Sequence, residues 1–353
     1  MKIAVLISGG VDSSVALKLL KEQGHDVTAF YLKIWLEDEL KYLNDCPWEE
    51  DLKFVREICE RESVPLEVVP MQQEYFDTIV EYTLSEVKVG RTPNPDVMCN
   101  NNIKFGIFLK KVDDSFEKIA TGHYAQIEER DGISYLKRAP DPVKDQTYFL
   151  SNLKQEQLAR LMFPIGEMTK KEVRALAEKY NLPNKDRKDS QGICFLGKFK
   201  YNDFLKHYLG EKPGDIIDFD SGEKLGEHEG YWFFTVGQRK GIKLGGGPYF
   251  VVKKDIEKNT LYVSNKYFDE NKKRDTLKLG DLNWNTGKAP DKKDLQVKLR
   301  HGESFYNCHI EELTTDMMKI RIDRQDQGIA PGQFTAFYDS EYCIGSGVID
   351  YLS

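Results

Sequence analysis

Two of the six cysteines in this 353-residue chain stand where a thiol can do chemistry. Cys99 ends the run Asn94-Pro95-Asp96-Val97-Met98-Cys99, and Pro93 and Pro95 stiffen the approach to it. Helical spacing predicts a helix over 103–112, just after Cys99, and a helix N-terminus stabilises a thiolate. Asp96, three residues ahead, reads as a general base or as a holder of the group being modified. Cys194 lies in Lys188-Asp189-Ser190-Gln191-Gly192-Ile193-Cys194-Phe195, with Arg187 and Lys188 as nearby cations that also favour a thiolate. Cys46, Cys59, Cys308 and Cys343 lack such settings and read as small buried hydrophobes. No Cys-x-x-Cys pair occurs and the six histidines are dispersed. Neither a disulfide framework nor a structural zinc site is expected.

A second constellation is Ser8-Gly9-Gly10-Val11-Asp12-Ser13-Ser14, directly after an apolar run. Gly9 and Gly10 permit a tight turn and close approach of backbone to a ligand. Backbone N–H groups and the positive end of the next helix then face an anion. Ser8, Ser13 and Ser14 add hydroxyl donors. Asp12 is out of place beside phosphate, and reads as facing a metal ion or as capping the helix. The loop lacks the lysine of Gly-x-x-x-x-Gly-Lys-[Ser/Thr], so it is not that P-loop. It is similar instead to the pyrophosphate loop of the PP-loop ATP pyrophosphatases. That resemblance implies cleavage of ATP to AMP and pyrophosphate, with Mg²⁺ on the phosphates, and adenylation of an acceptor oxygen. Ammonia, an amine or sulfur then displaces AMP.

The elements that must position these groups alternate in type. Residues 2–7 form, after Lys2, an apolar run typical of a strand buried on both faces. Val11 to Gln23 has helical spacing and ends at Gly24. Strands are expected at 27–34, 66–69 and 118–120, and helices at 51–62, 75–89, 103–112, 155–162 and 169–180. Thr169-x-x-Glu172 has the form of a capping box. This alternation implies an α/β fold with a doubly wound parallel sheet. After about residue 210 long helical patterns give way to short alternating stretches punctuated by Gly, Asn and Asp. The expected division is a catalytic domain at 1–204, a small β-rich domain at 205–272 and a C-terminal β-barrel at 273–353.

Composition sets the outer bounds. The chain is 40% hydrophobic and 31% charged, which suits well-wetted domains with real cores. No apolar run approaches the ~20 residues of a membrane span, and the short N-terminal run is not a signal peptide. A cytoplasmic protein without a membrane partner is expected. Net charge is -7, which argues mildly against nucleic acid. Between Lys170 and Lys200, however, nine basic residues face four acidic ones. That window reads either as an anion-binding surface or as a solvated helix face.

Several further motifs occur in order: Gly90 to Phe105, Ala120-Thr121-Gly122-His123-Tyr124, Lys144-Asp145-Gln146-Thr147-Tyr148-Phe149-Leu150, Phe163-Pro164-Ile165-Gly166, Asp189 to Phe195, and Thr235-Val236-Gly237-Gln238-Arg239-Lys240-Gly241. Over nearly its whole length the chain resembles the tRNA-uridine 2-sulfurtransferases, the tRNA-specific 2-thiouridylase family. The resemblance implies that Leu6, Ile7, Ser8, Gly9, Gly10, Val11, Asp12, Ser13 and the backbone near Leu32 hold ATP, with Gly122 at its adenosine part. Asn94, Pro95 and Asp96 meet the target base. Cys194 carries a persulfide, and Cys99 is its partner nucleophile, releasing sulfur through a transient disulfide. Lys144, Asp145 and Gln146 contact tRNA. Arg300-His301 stands where the family often has Arg-Tyr, and is either a further tRNA contact or a barrel-surface pair. The partners implied are tRNAs of the Lys, Glu and Gln type with a wobble uridine, and a sulfur donor protein, a cysteine desulfurase or a relay. No resident metal site is implied.

Two other readings compete. An amidotransferase or small-molecule synthetase of the same superfamily would release pyrophosphate without tRNA and ignore both cysteines. A tRNA-binding module with a dead nucleotide fold would turn over no ATP. Segment 35–48, acidic and containing Cys46, reads as a loop near the ATP site.

Overall fold

The computed structural model describes residues 1–34, 47–189, 200–266, 274–326 and 328–350. Its N-terminal part is built on a parallel sheet of β1 (Lys2–Leu6), β2 (Asp26–Lys33), β3 (Leu66–Pro70), β4 (Lys118–Ala120) and β7 (Leu161–Met162), in the order β3-β2-β1-β4-β7. The expectation of a continuous apolar run is met: Ile3, Ala4 and Val5 are fully buried at the centre. Helix α1 (Val11–Glu22) leads from β1 to β2, whereas β4 pairs with the other edge of β1. The chain therefore winds in opposite directions on the two sides of β1. The carboxyl end of β1 is a topological switch point, where open α/β sheets bind ligands.

Helix α2 (Pro47–Arg61) and two long helical stretches, α3 at 72–88 and α4 at 95–111, surround this sheet. α4 begins earlier than its spacing suggested. Asn94 caps it by accepting a 3.3 Å hydrogen bond from the Val97 N–H, and Pro95 occupies the first helical position. Within α4, Cys99–Ile107 is π-helical. Farther on come the short helices α5 (Thr147–Leu150) and α6 (Gln155–Leu158), then α7 (Lys170–Lys179) and α8 (Tyr201–Leu209). Both halves of the Thr169–Glu172 capping box are formed.

The expected middle domain contains a four-stranded sheet in the order β10-β11-β8-β9, from β8 (Gly214–Asp218), β9 (Lys224–His228), β10 (Phe250–Asp255) and β11 (Thr260–Ser264). Its core gathers Ile216, Tyr231, Val251, Leu261 and Val263. The C-terminal part comprises β12 (Thr276–Trp284), β13 (Asp294–Lys298), β14 (Tyr306–Leu313), β15 (Met318–Ile322), β16 (Phe334–Asp339) and β17 (Tyr342–Ile349). A β12–β17 pairing closes these six antiparallel strands into a barrel.

The sequence reading missed one feature. A hairpin of β5 (Ala125–Arg130) and β6 (Ile133–Arg138) leaves the parallel sheet and joins the barrel, with Lys137 and Leu136 opposite Tyr342 and Cys343 of β17. Beside it, Asp145 and Lys298 form a 2.9 Å ion pair with both side chains fully buried. The N-terminal part and the barrel thus share a hydrogen-bonded sheet and a buried charge pair.

Candidate active site

The phosphate-type loop directly follows β1 as expected, and so lies at the switch point. Gly9 has φ +76°, and a Cβ there would stand 2.7 Å from the Asp51 carbonyl oxygen. Gly10 has ordinary extended geometry, φ −78°, and caps α1 through its backbone. The second glycine is therefore not required by conformation. The Ser13 and Ser14 hydroxyls donate to the Gly10 carbonyl at 3.1 and 2.9 Å, and Ser13 Oγ accepts the Ser8 N–H at 3.2 Å. These two serines brace the loop instead of reaching outward; Ser8 is the exposed one. Asn184 Nδ2 and Arg187 Nη1 both donate to the Gly9 carbonyl, at 2.8 and 3.0 Å. Arg187 also pairs with Asp51, so α2 is tied to the loop.

Asp12 corrects the expectation of a side-chain cap. It neither caps α1, since Gly10 does, nor stands open. Lys170 Nζ lies 2.7 and 2.9 Å from its carboxylate oxygens, and the Tyr124 hydroxyl donates to it at 2.9 Å. Burial, with Asp12 beside it, keeps that hydroxyl firmly protonated. Lys170 Nζ also lies 2.8 Å from Asp189, which takes Lys144 and Arg174 at 2.6 Å each. Partial burial alone would raise the Asp189 carboxyl, but Lys144 and Lys170 hold it well below the ordinary carboxylate range. Lys170 and Arg174, two members of the basic window on one helix, thus converge with Lys144 from another stretch of chain on Asp189, and Lys170 ties them to the first turn of α1. Two carboxylates neutralise them. A chain of phosphates, richer in charge, competes for the same cations.

Gly122 follows β4 and seals the far side of the cleft. A Cβ there would come within 2.6 Å of the Ser13 nitrogen and 2.7 Å of the Asp12 carbonyl carbon. Leu6, Ile7 and Val11, on either side of the loop in sequence, are buried. Leu32 lies near the end of β2, on the strand whose Phe30 carbonyl accepts the Ile7 N–H at 3.0 Å. The nucleotide set read from the sequence is therefore brought together.

Cys99 departs from expectation. It lies inside α4, not ahead of a helix, and only 1% of it is exposed. Burial pushes its thiol up to about 11, against which Lys104 acts as the largest opposing influence. The buried Cys59 is likewise pushed up to about 11, and Cys308 and Cys343 to about 12, as inert core thiols. Cys194 and Cys46 lie outside the described residues. Asp189, five positions ahead of Cys194, is anchored at the loop. Arg187, read as a cation for Cys194, is bonded to the loop carbonyl of Gly9.

The residues assigned to RNA divide. Asn94 and Pro95 are buried, and Asn94 Nδ2 donates to the Tyr148 hydroxyl at 3.3 Å. Asp96 is half-buried at the first turn of α4. Asp145 is fully buried against Lys298 and accepts the Thr147 hydroxyl at 2.9 Å, so its side chain is not an RNA contact. Lys144 belongs to the Asp189 cluster, and Gln146 Oε1 accepts the Tyr124 N–H at 2.9 Å. Arg300 pairs with Asp326. His301 packs on Phe149 with ring centroids 4.7 Å apart, and the Phe149 carbonyl accepts Asn100 Nδ2 at 3.2 Å. The barrel thereby delivers an exposed imidazole beside the helix that carries Cys99.

Lys170, Tyr124 and Asn184 were missed as site residues. One signal was present for Lys170. The capping box puts it at the first position of α7, where a cation opposes the helix dipole and so asks for another reason. Among the described residues, no group of three or more His, Cys, Asp or Glu side chains is arranged to hold a metal ion.

Comparison with known proteins agrees with this architecture. The tRNA methyl transferase HUP domain family matches residues 1–198, the tRNA methyl transferase PRC-barrel domain 202–265, and the aminomethyltransferase beta-barrel domain 274–349. The tRNA-specific 2-thiouridylase MnmA of Parabacteroides distasonis is 48% identical over 355 residues, covering 99% of both chains. The tRNA-specific 2-thiouridylase MnmA 1 of Bacteroides thetaiotaomicron is 47% identical, and that of Porphyromonas gingivalis 45%, each again over 99% of both chains. With a phosphate-type loop at the switch point, a closed six-stranded barrel and relatives this similar from end to end, the chain belongs to the tRNA-specific 2-thiouridylase family.

Proposed function

We propose that this protein is an ATP-dependent tRNA-uridine 2-sulfurtransferase, acting on the wobble uridine of tRNAs of the Lys, Glu and Gln type. The observation that carries the reading is the cleft at the end of β1. There a braced glycine loop and Gly122, packed against the first turn of α1, stand beside the Lys170–Asp12–Asp189 cluster, so backbone N–H groups and cations converge where a triphosphate would meet them. Leu6 to Ser13, with the backbone near Leu32, hold ATP, and Lys170 neutralises phosphate charge as Asp12 and Asp189 release it. Mg²⁺ travels with the phosphates and supplies charge neutralisation there. Asp12, the nearest carboxylate, is already tied to Lys170 and Tyr124.

The wobble base, splayed from its stack, presents its C2 oxygen to the α-phosphate. That oxygen attacks, the bond to the β-phosphate breaks, and pyrophosphate leaves. Asp96 holds the base or takes a proton. Cys99, as thiolate, attacks the inner sulfur of a Cys194 persulfide. A Cys99–Cys194 disulfide forms, and the terminal sulfur leaves as hydrosulfide. Hydrosulfide adds to C2, and AMP departs with the former oxygen. Direct attack by the persulfide is the alternative order. External thiol reductant resets the disulfide. Sulfur arrives from a cysteine desulfurase or a relay protein in the cytoplasm, where tRNA and ATP are also at hand. His301 and Arg300 of the barrel, with Lys144 of the cleft, face the RNA.

The test is mass spectrometry of nucleosides from tRNA incubated with the protein, ATP, Mg²⁺ and a sulfur source. ATP-dependent 2-thiouridine at the wobble position is expected, and Cys194→Ser should abolish it while leaving tRNA binding nearly intact. Pyrophosphate release without tRNA and without base modification would sink the reading.

A further inference from the structure

Lys104 has no role in the scheme above, yet the fold goes to some length to place it. It follows Cys99 by five positions, in the π-helical segment Cys99–Ile107. In an α-helix, side chains five apart point about 140° away from each other. Widening the turn to π geometry, with its i→i+5 bonding, swings them round to roughly 50°. The segment is supported as built. Gln157 Nε2 donates to the Asn101 and Phe105 carbonyls at 2.9 and 2.7 Å. Gly106 leaves out a Cβ that would stand 2.8 Å from the Asn101 oxygen. Lys104 Nζ then donates to Asn100 Oδ1 at 3.0 Å, and the buried Asn100 is itself held by the Phe149 carbonyl. The ammonium is thus fixed over the turn that carries Cys99.

We propose that Lys104 is the cation that stabilises the Cys99 thiolate, and that the π-helical turn exists to bring the two onto one face. The proposal rests on the reading of Cys99 as a transfer thiol. The electrostatics agree with the geometry. Burial disfavours the thiolate, Lys104 favours it, Asp96 on the same helix opposes it, and the Tyr75 hydroxyl from α3 gives smaller help. His123, packed between Phe105 and Phe163, is kept neutral by burial and by the Lys104 charge. Lys104 therefore meets no second cation there. In the proposed step Cys99 gives its proton to solvent or to Asp96. The anion left behind is balanced by an ammonium already in place, so no charge has to be imported into the core.

The test is single-turnover thiolation of a tRNA transcript by the full chain from about pH 6 to about pH 9. ATP, Mg²⁺, and cysteine with a cysteine desulfurase as sulfur source are supplied. Lys104→Gln should lower the rate about tenfold throughout this range, since a thiol pushed up to about 11 stays sparsely ionised in both proteins and both rates climb in parallel as pH rises. Lys104→Arg should restore the original profile, and pyrophosphate release should change in neither variant. A Lys104→Gln rate that does not climb with pH alongside the original, or a loss that Lys104→Arg fails to rescue or that pyrophosphate release shares, overturns the proposal. Cys99→Ser is measured alongside. If it thiolates at the normal rate, the transfer-thiol reading itself has failed, whatever Lys104 does.

Discussion

Two ion clusters, one drawing in Lys144 and the other the adjacent Asp145, work in opposite ways. Asp145 and Lys298 are both fully buried, with Lys298 Nζ 4.5 Å from the Phe305 ring centroid and the Tyr338 ring beyond. Asp12, Lys170 and Asp189 keep side-chain exposures of 30, 16 and 29%, and each carboxylate shares its cations. The first pair has little freedom, because moving Lys298 away from Asp145 strands its charge in the core, with Arg138 as the only other cation paired with Asp145 among the described residues. The second cluster has several of similar energy, because water and neighbouring partners screen each change. A dry pair suits a joint between two parts of a molecule. A wet, shared cluster suits a site whose cations must change partners when a polyanion arrives.

The largest expected effect falls on the dry pair. Lys298→Met should lower stability by about 3 kcal/mol in chemical denaturation, since it takes the closest partner from the buried Asp145 and leaves only Arg138, 3.6 Å away. The double variant with Asp145→Leu should regain much of that loss. If Lys298→Met costs no more than a surface change, the joint is not dry and the contrast fails. Lys170→Ala should show the opposite pattern. Its stability loss should be about 1 kcal/mol or less, while pyrophosphate release falls on the order of 100-fold. Equal losses of stability and activity would erase the distinction.

Gly122→Ala probes the close contact between the turn after β4 and the first turn of α1. Its Cβ has backbone atoms within 2.7 Å, which are harder to shift than a side chain. A cost of about 1–3 kcal/mol is expected, with weaker ATP affinity measured by titration and little change in tRNA binding. The smallest effect concerns acid. The Asp189 carboxyl is held below its unfolded value, so its contribution is fully present above the ordinary carboxylate range. It is lost only as pH falls through the depressed folded value. Asp189→Asn should flatten the fall of stability between about pH 4 and pH 2. An unchanged slope would mean that the cluster is fully screened.

What could be read from the sequence follows the range of the interactions. The parallel sheet, the loop at the end of β1 and the Thr169 cap depend on neighbours within a few residues, and the sequence carries them openly. The start of α4 was also within reach, since Asn94 before Pro95 is a cap followed by a first-turn proline. The partners of Asp12 and Asp145 were not. Lys170 is 158 positions from Asp12 and Lys298 is 153 from Asp145, and no local pattern records such meetings. The same limit hid the role of the 125–138 hairpin, whose alternation is plain but whose partner strand lies near the other end of the chain. For the thiols, the Cys99 motif was visible, whereas its depth in the core and its π-helical turn come from packing.

That hairpin has a consequence for how the molecule is made. Synthesis runs from the N-terminus, so β5 and β6 leave the ribosome roughly 200 residues before β17, the strand that completes them. Until then Leu136, fully buried in the finished protein, has no barrel to cover it, and one edge of β6 lacks its ladder partner. The catalytic half therefore reaches its final form only when the last strand arrives. A nascent chain stalled short of that point would present an open sheet edge to its neighbours in a polysome.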